Sequence, residues 1–511
     1  MTSFSDQSRS LENWSRASQS QPAERSRLPL LIAILAALTI ARLIGLHFSV
    51  VDLFFDEAQY WWWGHDLAFG YFSKPPFLAW TIAAARQVCG DAEWCVRAPA
   101  PLFYFATSMV IYFVTRRLYD EATGFWAAVL MALTTGVVFS TRVISTDVPL
   151  LFFWSLALLA YVHLATAPQK RWAVVLGISI GLGLLSKYAM IYFVPGALLA
   201  ALLSQRARNV LKGPHFWAGL FIAALVILPN IIWNYAHSFM TFKHTGGLVL
   251  GEQFHLNFIR VLEFFGAQFG VFGPVVFAVM IIAVFKLRSP DIIEQDRVMI
   301  AFYIFPVTLI LISAIGAHAY ANWAATSIVS GVVLTAALLV RQKKMVWLWV
   351  SIALGLVMQI TLLFTDPIAP KISVPFLKAP NPYNRTLAWR AYGERVGQLA
   401  EEIGAPTIAN DFRGQVSALR YYWRDKPAEI LSWGTTDSPN FDVVHPLTQS
   451  AKEPILFVTS CPDEKRIKKF YADVRPLGQY QVTVGTTTRA FSAFRLAQSR
   501  GPIGVLEQCK Y

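Results

Sequence analysis

The stretch Leu28-Pro29-Leu30-Leu31-Ile32-Ala33-Ile34-Leu35-Ala36-Ala37-Leu38-Thr39-Ile40-Ala41-Arg42-Leu43-Ile44-Gly45-Leu46-His47-Phe48 is as long as the hydrocarbon core of a bilayer is thick. Lipid offers the backbone no hydrogen-bonding partners, so a run of this kind must satisfy its own amides as a helix. It is too long for a signal-peptide core, and no convincing small-residue cleavage site follows, so it reads as an uncleaved first helix. Arg42, inside it, reads as a residue snorkelling to the headgroups. Comparable runs recur as far as Phe364, near 98–115, 124–140, 148–166, 172–186, 189–204, 215–234, 269–286, 298–316, 320–340 and 345–364. The sequence therefore predicts a polytopic α-helical membrane protein with about eleven transmembrane helices.

Composition supports this. Of 511 residues 55% are hydrophobic and only 15% charged, with a mean hydropathy of +0.46, too little charge for a soluble surface of this size. The formal net charge of +13 is explained by loops rather than by nucleic acid, because no basic stripe interleaved with aromatics lies outside them. Arg25/Arg27, Arg116/Arg117, Lys170/Arg171, Arg206/Arg208/Lys212, Lys286/Arg288/Arg297 and Arg341/Lys343/Lys344 fall in one alternating set of loops, which the positive-inside rule places in the cytoplasm. The loops 51–97 and 235–268 and the tail 365–511 then face outward. Three parts follow: a disordered cytoplasmic tail over 1–27, rich in Ser and Arg, a transmembrane catalytic domain over 28–365, and a periplasmic C-terminal domain over 366–511.

The tail has ordinary soluble hydropathy. Thr407 to Ala409 and Ile455 to Thr459 read as short strands, and Leu387 to Ile403 and Asp463 to Tyr471 as amphipathic helices, which makes a small α/β domain. It carries no Gly-rich phosphate loop and no metal-ligand spacing. Cys89 and Cys95 in the first outer loop, and Cys461 and Cys509 in the tail, all fall on the outer side. An oxidising exterior permits one bridge in each region; four unpaired thiols is the alternative.

The first outer loop holds the densest chemistry. The adjacent carboxylates Asp56 and Glu57 suit a general base for an incoming hydroxyl or amine, and a carboxylate bordering apolar runs needs a reason to be there. Tyr60, Trp61 and Tyr71 belong to an aromatic run that suits an interfacial belt and equally the stacking of a sugar or contact with a lipid chain. Lys74, Arg142 and Lys187 are cations on the same side, suited together to a phosphate or diphosphate, though each alone also reads as a snorkelling residue. Asp147 adds a further outer carboxylate. His237, His244 and His255 lack a partner carboxylate motif and read as ordinary polar residues.

Taken in order, Phe55-Asp56-Glu57-Ala58-Gln59-Tyr60, Tyr71-Phe72-Ser73-Lys74-Pro75-Pro76, Thr146-Asp147-Val148-Pro149-Leu150 and Leu184-Leu185-Ser186-Lys187 resemble the bacterial glycosyltransferase family 39 and aminoarabinose-transferase group. These are membrane-embedded GT-C glycosyltransferases, relatives of the protein O-mannosyltransferases, and the resemblance covers roughly residues 28 to 365. It implies transfer of a sugar, with inversion, from a polyprenyl-phosphate-linked donor to a lipid, glycan or protein acceptor on the outer face of the inner membrane. By the same resemblance Asp56 matches the probable base, Lys74 the lysine that contacts the carrier phosphate, and Asp147 a second acidic position. Several relatives carry a Glu metal ligand just before that lysine, where this chain has Ser73, so a divalent metal stays possible and unassigned. A transporter or flippase of a lipid-linked glycan is the main alternative, but its ionisable groups would sit near the midplane, and here charge collects at the outer edge. A non-catalytic scaffold would leave Asp56, Lys74 and Asp147 without a purpose.

Overall fold

The computed structural model describes residues 26–250, 257–375, 379–434 and 445–507. Nearly all of the expected N-terminal tail, His255 and Cys509 lie outside them. The chain forms two compact units. A helical unit comprises the chain up to Leu46 with Phe69–Leu78 and Arg97–Leu362; an α/β unit comprises His47–Ala68, Ala79–Val96 and Leu363 onward.

In the helical unit every expected run is helical, but not every run is one long helix. Among the described residues six helices are long and apolar enough to cross a bilayer, including Leu28–His47, Asp147–Thr166 and Pro214–Ala236. The number rises to seven if Phe258–Val271 and Pro274–Phe285, bent by 119°, count as one span. The expected run 124–140 breaks into Glu121–Leu133 and Thr135–Ser140, and 189–204 opens with a 3-10 turn at Tyr188–Tyr192. A helix of Glu121–Leu133's length covers only about 20 Å. Close approach of helices depends on small residues. A Cβ on Gly177 of Lys170–Ser186 would lie 2.5 Å from the Gly219 carbonyl of Pro214–Ala236, so only glycine lets these backbones meet. Arg42 does not snorkel. It is buried, donating to Gln359 Oε1 at 2.8 Å and to the Ala132 carbonyl at 2.6 Å, because interior oxygens lie within reach and a buried guanidinium needs them.

The α/β unit is built on a five-stranded sheet in the order β2-β1-β3-β5-β4, with β1 Thr407–Asn410, β2 Glu429–Ser432, β3 Ile455–Thr459, β4 Tyr471–Val484 and β5 Thr487–Ser499. β1 runs parallel to β2 and β3, while β5 pairs antiparallel with β3 and β4. The two strands expected from sequence are β1 and β3, and the helix expected over Leu387 to Ile403 is Trp389–Glu402. The helix expected over Asp463 to Tyr471 is a correction. Only Glu464–Lys468 is helical, and Tyr471 opens β4. Tyr471 is buried against Trp433, and Arg466 is drawn into a buried ion pair with Asp411 at 2.5 Å, so packing overrides the amphipathic pattern.

Three short helices expected by no sequence pattern, Phe55–Trp63, Phe77–Cys89 and Glu93–Arg97, occupy the first loop. Within the α/β unit the Asp52 carboxylate accepts from the Trp389 and Arg390 amides at 2.9 and 3.3 Å, capping helix Trp389–Glu402. Phe55 and Trp62 pack against the core of that helix and β1. Cys89 and Cys95 are bridged, and Cys461 is not a free thiol.

Candidate active site

Helix Phe55–Trp63 begins at an extended Phe54, whose amide donates to Glu57 Oε2 at 2.9 Å. Glu57 is thus turned back to cap its own helix and is fully buried. Asp56 points elsewhere. Arg413, the first residue of helix Arg413–Tyr422, brings Nη1 to 2.7 Å from Asp56 Oδ1 and donates its hydrogen bond to Gln59 Oε1, also at 2.7 Å. Asp56 and Gln59, three apart, share one helix face, so one guanidinium reaches both. The Asp56 contact is an ion pair without a well-directed hydrogen bond, and about a third of its side chain stays exposed, 31%. Asp56 is therefore a carboxylate held in place at a helix N-terminus yet open to exchange its partner.

The aromatic run is built into the same unit. Tyr60 and Trp61 are buried, and Trp61 Nε1 donates to Asp91 Oδ1 at 2.6 Å. Asp91 also pairs with Arg86, and its carbonyl accepts from the Tyr421 hydroxyl at 2.5 Å. Trp62 is half-buried, with the Arg420 guanidinium 4.1 Å from its ring centre and His445 edge-on at 5.3 Å. A cavity of about 450 Å³ opens here, lined by Trp61, Trp62, His65, Arg420, Trp423 and His445 among others. Burial, and then the nearby Arg420, push the His445 pKa down to about 4, so its imidazole is neutral.

In the helical unit the structure brings together two residues that the sequence singled out separately. Lys187 Nζ donates to Asp147 Oδ1 at 2.7 Å, and Asn322 Nδ2 donates to Oδ2 at 2.6 Å. Asp147 opens helix Asp147–Thr166, where a negative charge is favoured. Arg142 is placed otherwise: it donates to the Arg42 and Gly45 carbonyls at 3.5 and 3.1 Å, tying it to the end of helix Leu28–His47.

Lys74 lies in a tight loop held from two sides. The Tyr71 amide donates to the Lys74 carbonyl at 3.2 Å. The Tyr71 carbonyl accepts from Thr241 Oγ1 at 2.7 Å, and the Phe69 carbonyl accepts from Asn230 Nδ2 at 2.6 Å. Asn230 is fixed in turn by the Tyr188 hydroxyl at 2.9 Å. Between these anchors a Cβ on Gly70 would fall 2.3 Å from the Trp233 ring, so the loop lies flat on that indole. Tyr71 is buried, and so is Ser73, whose Oγ has no hydrogen-bond partner among the described residues. His237 bonds Trp233 O at 2.7 Å, and His244 lies against Phe72. Among the described residues no three His, Cys, Asp or Glu side chains gather to hold a metal ion. Arg413, Asn322 and Asn230 were invisible in sequence, since each reaches its partner across a long stretch of chain.

A bundle of bilayer-crossing helices with an α/β unit, carrying pinned carboxylates and a lysine loop, defines the architecture of a membrane-embedded glycosyltransferase. Residues 73–233 match the family model described as dolichyl-phosphate-mannose-protein mannosyltransferase. The chain is 32% identical over 438 residues to a lipid A galacturonosyltransferase, RgtD, of Rhizobium johnstonii, covering 84% of this chain and 90% of that one. It is 28% identical over 182 residues to the lipopolysaccharide core galacturonosyltransferase RgtA of the same organism, covering 35% and 36%. Its fold matches ArnT from Cupriavidus metallidurans in the crystal structure bound to undecaprenyl phosphate, with a TM-score of 0.66 at 13% identity over 92% of this chain and 98% of that one. The chain belongs to the GT-C family of membrane glycosyltransferases, and it is an enzyme.

Proposed function

We propose that this enzyme moves a hexuronosyl residue, with inversion, from a polyprenyl-phosphate carrier to lipid A or the lipopolysaccharide core, on the periplasmic face of the inner membrane. One observation carries the reading: the likeness to a lipid A galacturonosyltransferase extends over 438 residues, more than the membrane helices hold, and so reaches into the tail. In the proposed reaction Asp56 takes the proton of the acceptor hydroxyl as its oxygen attacks the anomeric carbon. The bond from that carbon to the phosphate oxygen breaks, and the polyprenyl phosphate leaves with the electron pair. Lys74 offsets the negative charge that grows on the phosphate. Asp147, held by Lys187 and Asn322, orients the sugar. Glu57 acts through its cap, and Tyr60 and Trp61 through the packing of helix Phe55–Trp63. The shorter helical segments join the long ones to make about eleven crossings, with the domain boundary at 365/366.

Mass spectrometry of envelope lipids from a deletion strain tests this. Loss of one hexuronic acid from lipid A or core, restored by the intact gene, is the expected result. Loss of a pentose or a neutral hexose would replace the sugar class. Accumulation of untransferred lipid-linked sugar on the cytoplasmic side would favour a flippase instead.

A further inference from the structure

The loop that carries Lys74 holds an unexplained group next to it. Ser73 is 3% exposed, and its hydroxyl has no partner among the described residues. Buried hydroxyls in this chain normally bond the carbonyl three or four residues back, as those of Thr39, Thr107 and Ser186 do at 2.7 to 2.8 Å. The buried hydroxyls of Ser108, Thr115, Ser330 and Thr335 lack a partner too, but each lies in a helix where such a carbonyl is one side-chain rotation away. Those of Thr326, just before a helix, and Thr487, in β5, also lack one, but neither adjoins a basic residue in the chain. Ser73 lies outside any helix, so no such carbonyl is offered. Its loop is also held on both sides. Asn230 and Thr241 hold the carbonyls of Phe69 and Tyr71, and Gly70 lies against Trp233. A polar group fixed and buried without a partner costs free energy in the unliganded fold. A ligand oxygen supplied there would remove that cost.

We infer that the Ser73 hydroxyl is a second contact to the carrier phosphate, donating a hydrogen bond to one of its oxygens beside the Lys74 ammonium. This rests on the reading of Lys74 as the phosphate-binding lysine. A hydroxyl and an ammonium on adjacent residues form a compact cradle for an anionic oxygen. The rigid loop then serves to hold the two donors in one arrangement before the donor arrives.

The test compares Ser73→Ala, Ser73→Thr and Lys74→Ala in the purified full-length enzyme, with a polyprenyl-phosphate sugar as donor. Read out are kcat/KM for donor, KM for acceptor, inhibition by undecaprenyl phosphate, and Tm without ligand. Ser73→Ala is expected to lower kcat/KM for donor about 10- to 100-fold, as for a hydrogen bond to a charged group, and to weaken inhibition in parallel. The acceptor KM should stay unchanged, and the Tm should hold or rise, because an unsatisfied group has been removed. Ser73→Thr, which keeps the hydroxyl, should recover most of the loss. A fall in Tm for Ser73→Ala would show an internal partner and overturn the inference, as would normal donor kinetics in Ser73→Ala beside a defective Lys74→Ala. Normal donor kinetics in Lys74→Ala would instead overturn the phosphate reading on which it rests.

Discussion

The two units hold their carboxylates differently. In the helical unit Asp147 is 8% exposed and both its oxygens are bonded, to Lys187 and to Asn322. In the α/β unit Asp56 is 31% exposed, and its ion-pair partner Arg413 also serves Gln59. The difference follows from the surroundings. Among apolar helices an uncompensated charge is expensive, so a carboxylate persists only when fully paired. Where water still reaches, a carboxylate can trade its partner for a substrate proton at little cost. The locked carboxylate therefore suits positioning and the open one suits proton transfer.

The largest effect should come from breaking the locked pair. Lys187→Met leaves Asp147 buried with Asn322 alone, which is expected to cost about 3–5 kcal/mol of stability. Thermal unfolding in nanodiscs should show most of that loss recovered in Asp147→Asn/Lys187→Met. A double variant no better than Lys187→Met would mean the pair is not locked. For the open carboxylate the expectation is opposite. Asp56→Asn should reduce turnover about 100-fold or more while the Tm hardly moves, because partly exposed pairs contribute about 0–1 kcal/mol. Near-normal transfer by that variant would remove the base from the mechanism.

Much of the fold could be read from sequence because lipid imposes one rule on every span. A run such as Leu28–His47 has no alternative to a helix. Asp56 was legible as a carboxylate with no apolar-membrane purpose. What could not be read depends on chain crossing. Nothing around Arg413 announces a partner in helix Phe55–Trp63, and nothing around Asn322 announces Asp147. The capping role of Glu57 could not be read either, because the helix start it caps is too short to show a period. β4 and β5 were missed since their polar, alternating faces resemble loop composition.

Within the α/β unit a third carboxylate sharpens the comparison. Burial, opposed by the Arg390 and Trp389 amides, raises the Asp52 pKa to about 6. Because Asp52 binds its proton more tightly folded than unfolded, the stability that protonation supplies is complete below about pH 4 and lost as pH rises through about 6. Asp52→Asn keeps an acceptor oxygen for the cap. Its Tm should match the parent's near pH 4 and exceed it near pH 7.5, by the equivalent of about 2–3 kcal/mol. A difference independent of pH would show that burial does not govern this group. The smallest expected effect is that of Cys89→Ser/Cys95→Ser, about 2 kcal/mol for so short a loop, read as a lower Tm of the α/β unit under non-reducing conditions.

The α/β unit is assembled from pieces far apart in the chain: His47–Ala68 and Ala79–Val96 emerge early, the remainder only from Leu363. Between them the ribosome must make all of Arg97–Leu362, on the order of tens of seconds at about 5–20 residues per second. During that interval helix Phe55–Trp63 has neither Arg413 nor β1 to fold against. The bridge between Cys89 and Cys95 can close at once, since both residues are already made. It closes the short loop that carries Asp91, the acceptor of the Trp61 indole, so on an oxidising face of the membrane this bridge would form well before the later part of the unit exists.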